Sequence, residues 1–498
     1  MATVPNQKGM RQTRIWRSFD AAWGVISAHR LFLVVLVISG IVWTWIFSQA
    51  IPYFEQGTRP FRAAWNGAGS IDILGYTLHY EFEGWADYDY YYVSWAKQFL
   101  NGHMPYTESF ETIVVNGTEY AVPYFFPPLF LYLCVIGAML PIHPYGIGAL
   151  ISFFGFITAF PIYGITNYLA QNRNRAALSA ATYLLNPLVL YHTSFEWLNP
   201  APFVFFSFLG FYLLMKQHRI LGTLAVVTAA LFKQTAFFFG LPLLAYLLKR
   251  APNHGSSQSS IEREETDESE EEAGDELDLL DFAKVAILVL LYAIILSFPY
   301  VFNPSNYLHY VFQRAGAILL DDLSSPPAGN QPITLAVFFI VVGAPPELTQ
   351  IVNLMNYYSI ALLVGLLPLF ALMLFEKKND NQLTSYWKRL LFLTMLLVMW
   401  VHLWSPRGIY KYYLVLLIPF LCIFSAFDMC SPSVAVSKPR LMSIISPLIM
   451  TALLLIPSRN IYLGFLLLIF LLYALRNPLR YFYRHLQEPL ASIKRLHR

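Results

Sequence analysis

Charged residues are scarce in this chain. Only 13% of its 498 residues are Asp, Glu, Lys or Arg, whereas 57% are hydrophobic and 17% are aromatic. Soluble globular domains carry roughly 25% charged residues. The shortage excludes an ordinary soluble protein and predicts an all-α fold, a polytopic bundle of about 12–14 transmembrane helices.

Cysteine and the common cofactor motifs are scarce as well. The three cysteines lie in or beside apolar segments, which excludes a disulfide framework and a cysteine metal site. The sequence contains no HExxH, CxxC, Walker A or GxGxxG pattern, so a metal cage, an ATP-driven machine and a dinucleotide enzyme are disfavoured. No array of basic and aromatic residues predicts nucleic-acid binding.

One segment holds much of the negative charge. Residues 256–281 contain 12 of the 30 acids and one base, which leaves the rest of the chain with a net charge of +14. An acidic, low-complexity run such as 250–282 is typical of a disordered linker. We expect it to separate an N-terminal half, 1–249, from a C-terminal transmembrane half, 283–498. The basic clusters at both chain ends predict cytoplasmic termini.

Long apolar runs define the candidate membrane spans. They are 31–50, 127–142, 146–169, 176–191, 199–215, 220–233, 235–249, 283–301, 352–375, 388–404, 410–428, 441–457 and 461–475. The first has no small-residue cleavage site and is interpreted as a retained helix. Thirteen crossings cannot leave both termini on one side, so we expect one helix between 124 and 191 not to cross. The loop 52–124 is extracytoplasmic in either count.

Two acids open a tyrosine-rich segment of that loop. Asp87 or Asp89 could act as a general base if it lay within hydrogen-bond reach of a hydroxyl, and the alternative is a solvated acid. The Tyr and Trp residues around them favour headgroup depth, which predicts that the segment lies at the membrane surface. Residues 90–100 are predicted to form an amphipathic helix that ends at Asn101-Gly102.

Several cations are predicted at positions where the membrane makes a positive charge energetically unfavourable. Arg407 and Lys411 are predicted on the outer face, against the positive-inside rule, and a phosphate or an ion pair with Asp321 or Asp322 would explain them. Lys233 interrupts an apolar run, either as a functional cation or as a side chain that snorkels to the surface. Arg314 is a further cation of this kind, whereas Glu196 and Asn199 could supply a second acidic or polar group beside the acids of the first loop.

The order of these motifs resembles the GT-C membrane glycosyltransferases, which use polyprenyl-phosphate sugars. The matching positions are Asp87 or Asp89, Tyr92 to Gly102, Pro105-Tyr106, Phe126 to Leu129, Lys233-Gln234, and His402, Arg407 and Tyr410. The motifs are short, and their order carries the resemblance.

The resemblance implies an inverting hexosyltransferase on the extracytoplasmic face of the cell membrane or an endomembrane. Its donor would be a polyprenyl- or dolichyl-phosphate sugar, mannose being commonest in the family, and its acceptor a glycan, glycolipid or protein hydroxyl. Asp87 or Asp89 would be the base. The lipid phosphate would be bound by Lys233, Gln234, Arg407, Lys411, His402, Arg314 and Tyr410. A divalent metal is not required by this scheme and is left open.

Two other functions remain open from the sequence. A transporter or flippase of a lipid-linked or anionic substrate would also need buried cations, but it predicts inverted repeats, which the sequence does not display. A non-catalytic membrane scaffold would use the same charges only to satisfy one another. Replacing Asp87 and Asp89 with Asn separates an enzyme, which would lose activity while folded, from a scaffold.

Overall fold

The computed structural model describes most of the predicted bundle. The described residues are 24, 27–56, 69–73, 76–80, 87–108, 110, 112–115, 118–121, 123–249, 279–314, 334–357, 360–376, 378, 383–404, 410–426 and 463–472. The prediction of an all-α, polytopic helical fold is confirmed. Four helices are long and apolar enough to cross a membrane, or six if each of two bent pairs forms one span, counted within these residues.

The N-terminal half is built from ten α-helices and two β-hairpins among the described residues. The helices are α1 Arg30–Gln56, α2 Ser94–Leu100, α3 Pro128–Met139, α4 Gly146–Ile157, α5 Ala159–Ala170, α6 Arg173–Leu184, α7 Pro187–Val189, α8 Pro200–Met215, α9 Arg219–Phe232 and α10 Gly240–Leu247. π-Helical turns precede α2 (Tyr88–Val93) and follow α7 (Leu190–Phe195), and a 3₁₀ segment, Gln234–Phe239, precedes α10. The antiparallel hairpins, β1 Gly69–Ile73 with β2 Tyr76–Tyr80 and β3 Thr112–Val115 with β4 Thr118–Ala121, lie in the first loop.

The C-terminal half adds helices that share one apolar core with the N-terminal half. They are α11 Leu279–Leu296, α12 Pro304–Leu308, α13 Leu335–Val341, α14 Pro346–Tyr357, α15 Ile360–Phe375, α16 Leu383–Leu403, α17 Ile418–Ser425 and α18 Leu463–Leu472. A π-helical turn, His309–Arg314, follows α12, and a 3₁₀ segment, Lys411–Leu416, precedes α17. The predicted span 441–457 and most of the acidic linker lie outside the described residues, and the division into two halves stays a prediction.

The helical hairpin α8–α9 defines the two ends of the bundle. Asn199 precedes α8 and Lys216 follows it, and α9 returns from Arg219 to Phe232, with Lys233 as its C-cap residue. Gly210 and Gly222 let the two helices approach, because a Cβ on Gly210 would lie 2.9 Å from the Gly222 carbonyl oxygen. At 1.5 Å per residue, the two ends of α9 are roughly 20 Å apart. We call them the Lys233 end and the Arg219 end.

Helix α3 is 12 residues long, which is shorter than the roughly 20 residues that a full perpendicular crossing needs. It starts beside Phe126 at the Lys233 end, and the loop after it returns to the same end. There the Tyr88 hydroxyl donates to the Pro144 carbonyl over 2.6 Å, and the Tyr145 hydroxyl contacts Glu55 at the end of α1. A close contact makes this fold-back feasible, because a Cβ on Gly146 would lie 2.0 Å from the Gly137 carbonyl oxygen. If span 127–142 does not cross, the number of crossings becomes even, as two cytoplasmic termini require; this topology stays a prediction.

The tyrosine-rich segment packs inside the protein, and its predicted depth at the membrane surface stays a prediction. Tyr88, Tyr92 and Trp95 are each at most 1% exposed. The predicted helix is present, as a π-helical turn that continues into α2 and ends at Asn101 with Gly102 at φ +86°. Aromatic side chains serve an interface or a core equally well, and here the neighbouring helices α3 and α8 cover them.

Candidate ligand-binding site

Lys233 lies at the point where α9 ends. Its backbone leaves the helix in an extended conformation, at φ −154° and ψ 140°, before the 3₁₀ segment begins. This break turns the side chain inward, where it is only 6% exposed and donates a 2.6 Å hydrogen bond from Nζ to Asn199 Oδ1. The snorkelling alternative is therefore excluded, because a snorkelling lysine keeps its ammonium group in water.

Aromatic rings surround the Lys233 ammonium group. Nζ lies 4.9 Å from the ring centre of Tyr413, 5.1 Å from Tyr412, 5.6 Å from Phe126 and 5.7 Å from Phe203. A cation over the face of an aromatic ring at these distances is attracted by the ring quadrupole. The rings come from the first loop, α8 and the 3₁₀ segment before α17, so the cation lies where three parts of the chain meet.

Gln234 connects two segments that border this site. Its Nε2 atom donates to the carbonyl oxygen of Phe125 and, over 2.9 Å, to that of Val311. The two acceptors belong to the end of the first loop and to the π-helical turn after α12. The Gln234 amide is thereby committed to backbone carbonyls, and its position favours a structural role beside the site.

His402 and Lys411 come from the C-terminal half. His402 ends α16, is buried, and donates from Nδ1 to the Val398 carbonyl over 2.6 Å. Because a carbonyl only accepts, Nε2 is left as the acceptor nitrogen of the neutral ring. His402 interacts electrostatically with Lys233, and its ring centre lies 5.9 Å from that of Tyr413. Lys411 is 5% exposed and opens the 3₁₀ segment that carries Tyr412 and Tyr413.

A buried histidine–carboxylate pair completes the site. His192 Nδ1 lies 2.5 Å from Glu196 Oε2, and both side chains are at most 1% exposed. His192 interacts electrostatically with Lys411, and its ring centre lies 6.3 Å from that of Tyr412. Sequence reasoning named Glu196 but passed over His192 among scattered histidines. The i,i+4 spacing of two ionisable residues in an apolar segment could have identified the pair.

The structure separates the two acids of the first loop. Asp87 is half-buried and interacts electrostatically with Tyr92 and Tyr412. Burial raises the pKa of the Tyr92 phenol well above its ordinary value, and the nearby Asp87 carboxylate raises it further. Asp89 is buried and interacts with Tyr88, on the side of α4 and Trp197. Asp87 is therefore the acid that borders the site.

The remaining predicted residues are only partly placed. Tyr410 stacks on Tyr412, with ring centres 5.6 Å apart. Arg314 is the last residue of the π-helical turn whose Val311 carbonyl accepts a hydrogen bond from Gln234. The structure describes the backbone of Arg314 but not its side chain. Arg407 and its alternative partners, Asp321 and Asp322, lie outside the described residues.

We call Lys233, Asn199, His402, Lys411, His192 and Glu196 the Lys233 cluster. Its two ammonium groups lie in a protein interior, where an anion binds a fixed cation more strongly than it does in water. A lysine ammonium is a compact point charge that suits phosphate oxygens. Within the described chain, no three His, Cys, Asp or Glu side chains come close enough to hold a metal ion. The geometry therefore favours an anion-binding site at one end of a membrane bundle.

A comparison with known protein families finds a match to part of this chain. The profile of the family described as "GPI transamidase subunit PIG-U" matches residues 119–330, a little under half of the chain. The matched region includes α3 to α11 and the cluster residues His192, Glu196, Asn199 and Lys233. A search of curated proteins finds no match.

This match overturns the predicted chemistry. A transamidase subunit belongs to a complex that attaches proteins to an anchor, whereas we predicted a mannosyl- or other hexosyltransferase with a polyprenyl- or dolichyl-phosphate sugar donor. The predicted glycosyltransferase activity and the sugar donor are therefore wrong, while the roles assigned to individual site residues stay predictions. Buried lysines identify a candidate site for an anion, and they do not specify which bond is broken there. The chain is a multi-pass membrane protein that is similar, over residues 119–330, to the PIG-U subunit of GPI transamidase.

Proposed function

We propose that this chain is a membrane subunit of a GPI transamidase-type complex, and that its Lys233 cluster binds the phosphate-bearing part of the glycolipid. The observation that carries the proposal is the overlap between the family match and the cluster. Residues 119–330 contain the helices that bury Lys233 against Asn199 and place His192 against Glu196.

The chemistry of the ligand supports this assignment. A GPI anchor is a glycan joined through phosphate to a membrane lipid, so it presents anionic and hydroxyl groups next to an apolar tail. Lys233 and Lys411 offer two cations, while Tyr412 and Tyr413 offer aromatic faces to the glycan. The transmembrane helices around them would accommodate the lipid tail.

Asp87 has a different role in this proposal. Its carboxylate borders the cluster through Tyr92 and Tyr412. A negative charge there opposes an incoming phosphate, so Asp87 would limit affinity and hold the cations in place before the ligand arrives. Asp89, buried on the far side of Tyr88, would stabilise the first loop.

Charge asymmetry supports an orientation with the Arg219 end in the cytoplasm. That end carries, among the described residues, Arg30, Arg173, Arg175, Lys216, Arg219, Lys249, Lys284, Lys378, Lys388 and Arg389. The Lys233 end carries Lys97, Lys233, Arg314 and Lys411. By the positive-inside rule, the cluster would face the extracytoplasmic side of an endomembrane, and Arg30 would put the N-terminus in the cytoplasm. A GT-C-like bundle that is used for binding is compatible with this proposal.

Purification from native membranes tests the proposal. A tagged full-length chain is isolated in mild detergent and incubated with a reporter peptide that ends in a GPI-attachment signal, together with an amine acceptor. The expected result is co-purification of further subunits and cleavage of the reporter with its attachment to the amine. Isolation of the chain alone, with no such cleavage, would refute the assignment.

A further inference from the structure

A second cavity lies at the Arg219 end, remote from the Lys233 cluster. It has a volume of about 670 Å³ and opens between α1, α5 and α8, so we call it the α5–α8 cavity. Its apolar wall includes Phe32, Phe160, Phe205 and Leu209. Phe160 is 49% exposed, which places the mouth of the cavity on the outer surface of the bundle.

The polar rim of the cavity is basic. Arg173, Lys216, His29 and Asn167 line it, and none of the lining residues that the structure describes is an acid. His29 Nδ1 is hydrogen-bonded to the Tyr163 hydroxyl at 2.6 Å, and Lys216 lies 5.6 Å from the ring centre of Tyr168. Arg173 and Lys216 form no ion pair with any other residue that the structure describes.

The position of Arg173 adds an independent argument. It is the first residue of α6, where the helix dipole disfavours a cation and favours an anion. Arg175, in the same turn, is accounted for by a 3.1 Å hydrogen bond from Nη1 to the Ala426 carbonyl, whereas Arg173 points into the cavity rim. A bound anion would offset the cost of placing Arg173 there.

We infer that the α5–α8 cavity binds an anionic glycerophospholipid. The phosphate would lie between Arg173 and Lys216, with His29 and Asn167 at its edge, and an acyl chain would lie along Phe160, Phe205 and Leu209. Basic pockets between helices on the cytoplasmic side commonly bind anionic headgroups. The apolar wall commits the site to a lipid in preference to free phosphate. The inference does not depend on the proposed function, because the cavity and the cluster are at opposite ends.

Lipid titration tests this inference. Dioleoyl-phosphatidylserine and dioleoyl-phosphatidylcholine are titrated into the detergent-solubilised full chain, and apparent Kd values are measured by native mass spectrometry. We expect phosphatidylserine to bind at least tenfold more tightly. A surface cation strengthens the binding of an anionic lipid about fivefold. Arg173→Gln and Lys216→Gln should therefore each raise the Kd for phosphatidylserine about fivefold, and the double variant should raise it about 25-fold.

The controls keep the outcome decisive. Lys284→Gln removes an exposed cation from α11 at the same end and should leave both Kd values unchanged. The charge-conserving double variant Arg173→Lys/Lys216→Arg should keep the preference. Equal affinity for the two lipids, or unchanged affinity in the Gln variants, would overturn the inference. Displacement of phosphatidylserine by millimolar inorganic phosphate would overturn the commitment to a lipid.

Discussion

Replacing Lys233 with glutamine should separate ligand binding from folding. The ammonium group makes a hydrogen bond to Asn199 and lies over four aromatic rings. Its removal loses cation–π attraction of about 0.5–2 kcal/mol, but it also removes the cost of burying a charge. A glutamine amide can still donate to Asn199 Oδ1. We therefore expect the free energy of unfolding to change by less than about 2 kcal/mol.

Ligand affinity should respond far more strongly. A hydrogen bond to a charged group contributes about 1.5–3 kcal/mol when its partner is otherwise desolvated. Losing it from a bound phosphate corresponds to about 10- to 150-fold weaker binding. The assay is titration of the purified full chain with glucosaminyl-phosphatidylinositol, a minimal part of the GPI glycolipid, combined with thermal melting of the same sample.

Lys388→Gln supplies the matched control. Lys388 is also buried, at 3% exposure, but it lies in α16 about 20 Å along the helix from His402, toward the Arg219 end. Lys388→Gln should change the affinity for the glycolipid by less than twofold. A Kd for Lys233→Gln that stays within twofold of wild type, or equal losses in both variants, would refute the assignment of Lys233 to the ligand.

Three further predictions follow from the same contacts. Asp87→Asn should tighten binding of the same glycolipid several-fold, because it removes a negative charge beside the cluster; weaker binding would show that Asp87 contacts the ligand favourably. Gly146→Leu should abolish monodisperse protein in size-exclusion chromatography, because its side chain would meet the α3 backbone, whereas Gly240→Ala, with no atom within 4 Å of the new Cβ, should be tolerated. Raising salt from 0.05 to 0.5 M should weaken lipid binding at the exposed α5–α8 cavity more than glycolipid binding at the buried cluster; an equal salt dependence, measured by the same titrations, would contradict the burial of Lys233.

Much of the fold was predictable because hydrophobic run length reports directly on membrane helices. Apart from 441–457, which lies outside the described residues, the predicted spans lie on helices. The fold-back of α3 was beyond sequence reasoning, because it depends on a contact between Gly137 and Gly146 that hydropathy does not report. Hydropathy measures the free energy of transferring side chains out of water. It does not report on which side of the membrane a helix ends.

The site was predictable in part. Lys233 stood out as a cation within an apolar run, His402 was named through the family resemblance, and the structure brings them together with Lys411. The burial of Tyr88 and Tyr92 was not predictable, because an amphipathic aromatic side chain suits a membrane interface and a protein core equally. The choice between Asp87 and Asp89 also needed coordinates, since a π-helical turn changes the angle between residues two apart. The reaction was predicted wrongly because charge and burial identify an anion site without specifying its chemistry.

The most direct test of the central claim is anchor attachment in the source organism. The gene is deleted and replaced by wild type, Lys233→Gln or Lys388→Gln, and surface display of a GPI-anchored reporter is measured together with the level of each variant. We predict that deletion abolishes anchoring and that wild type and Lys388→Gln restore it. Lys233→Gln at normal abundance should restore less than a tenth of the wild-type surface display. Normal anchoring in the deletion strain would contradict membership of a GPI transamidase complex.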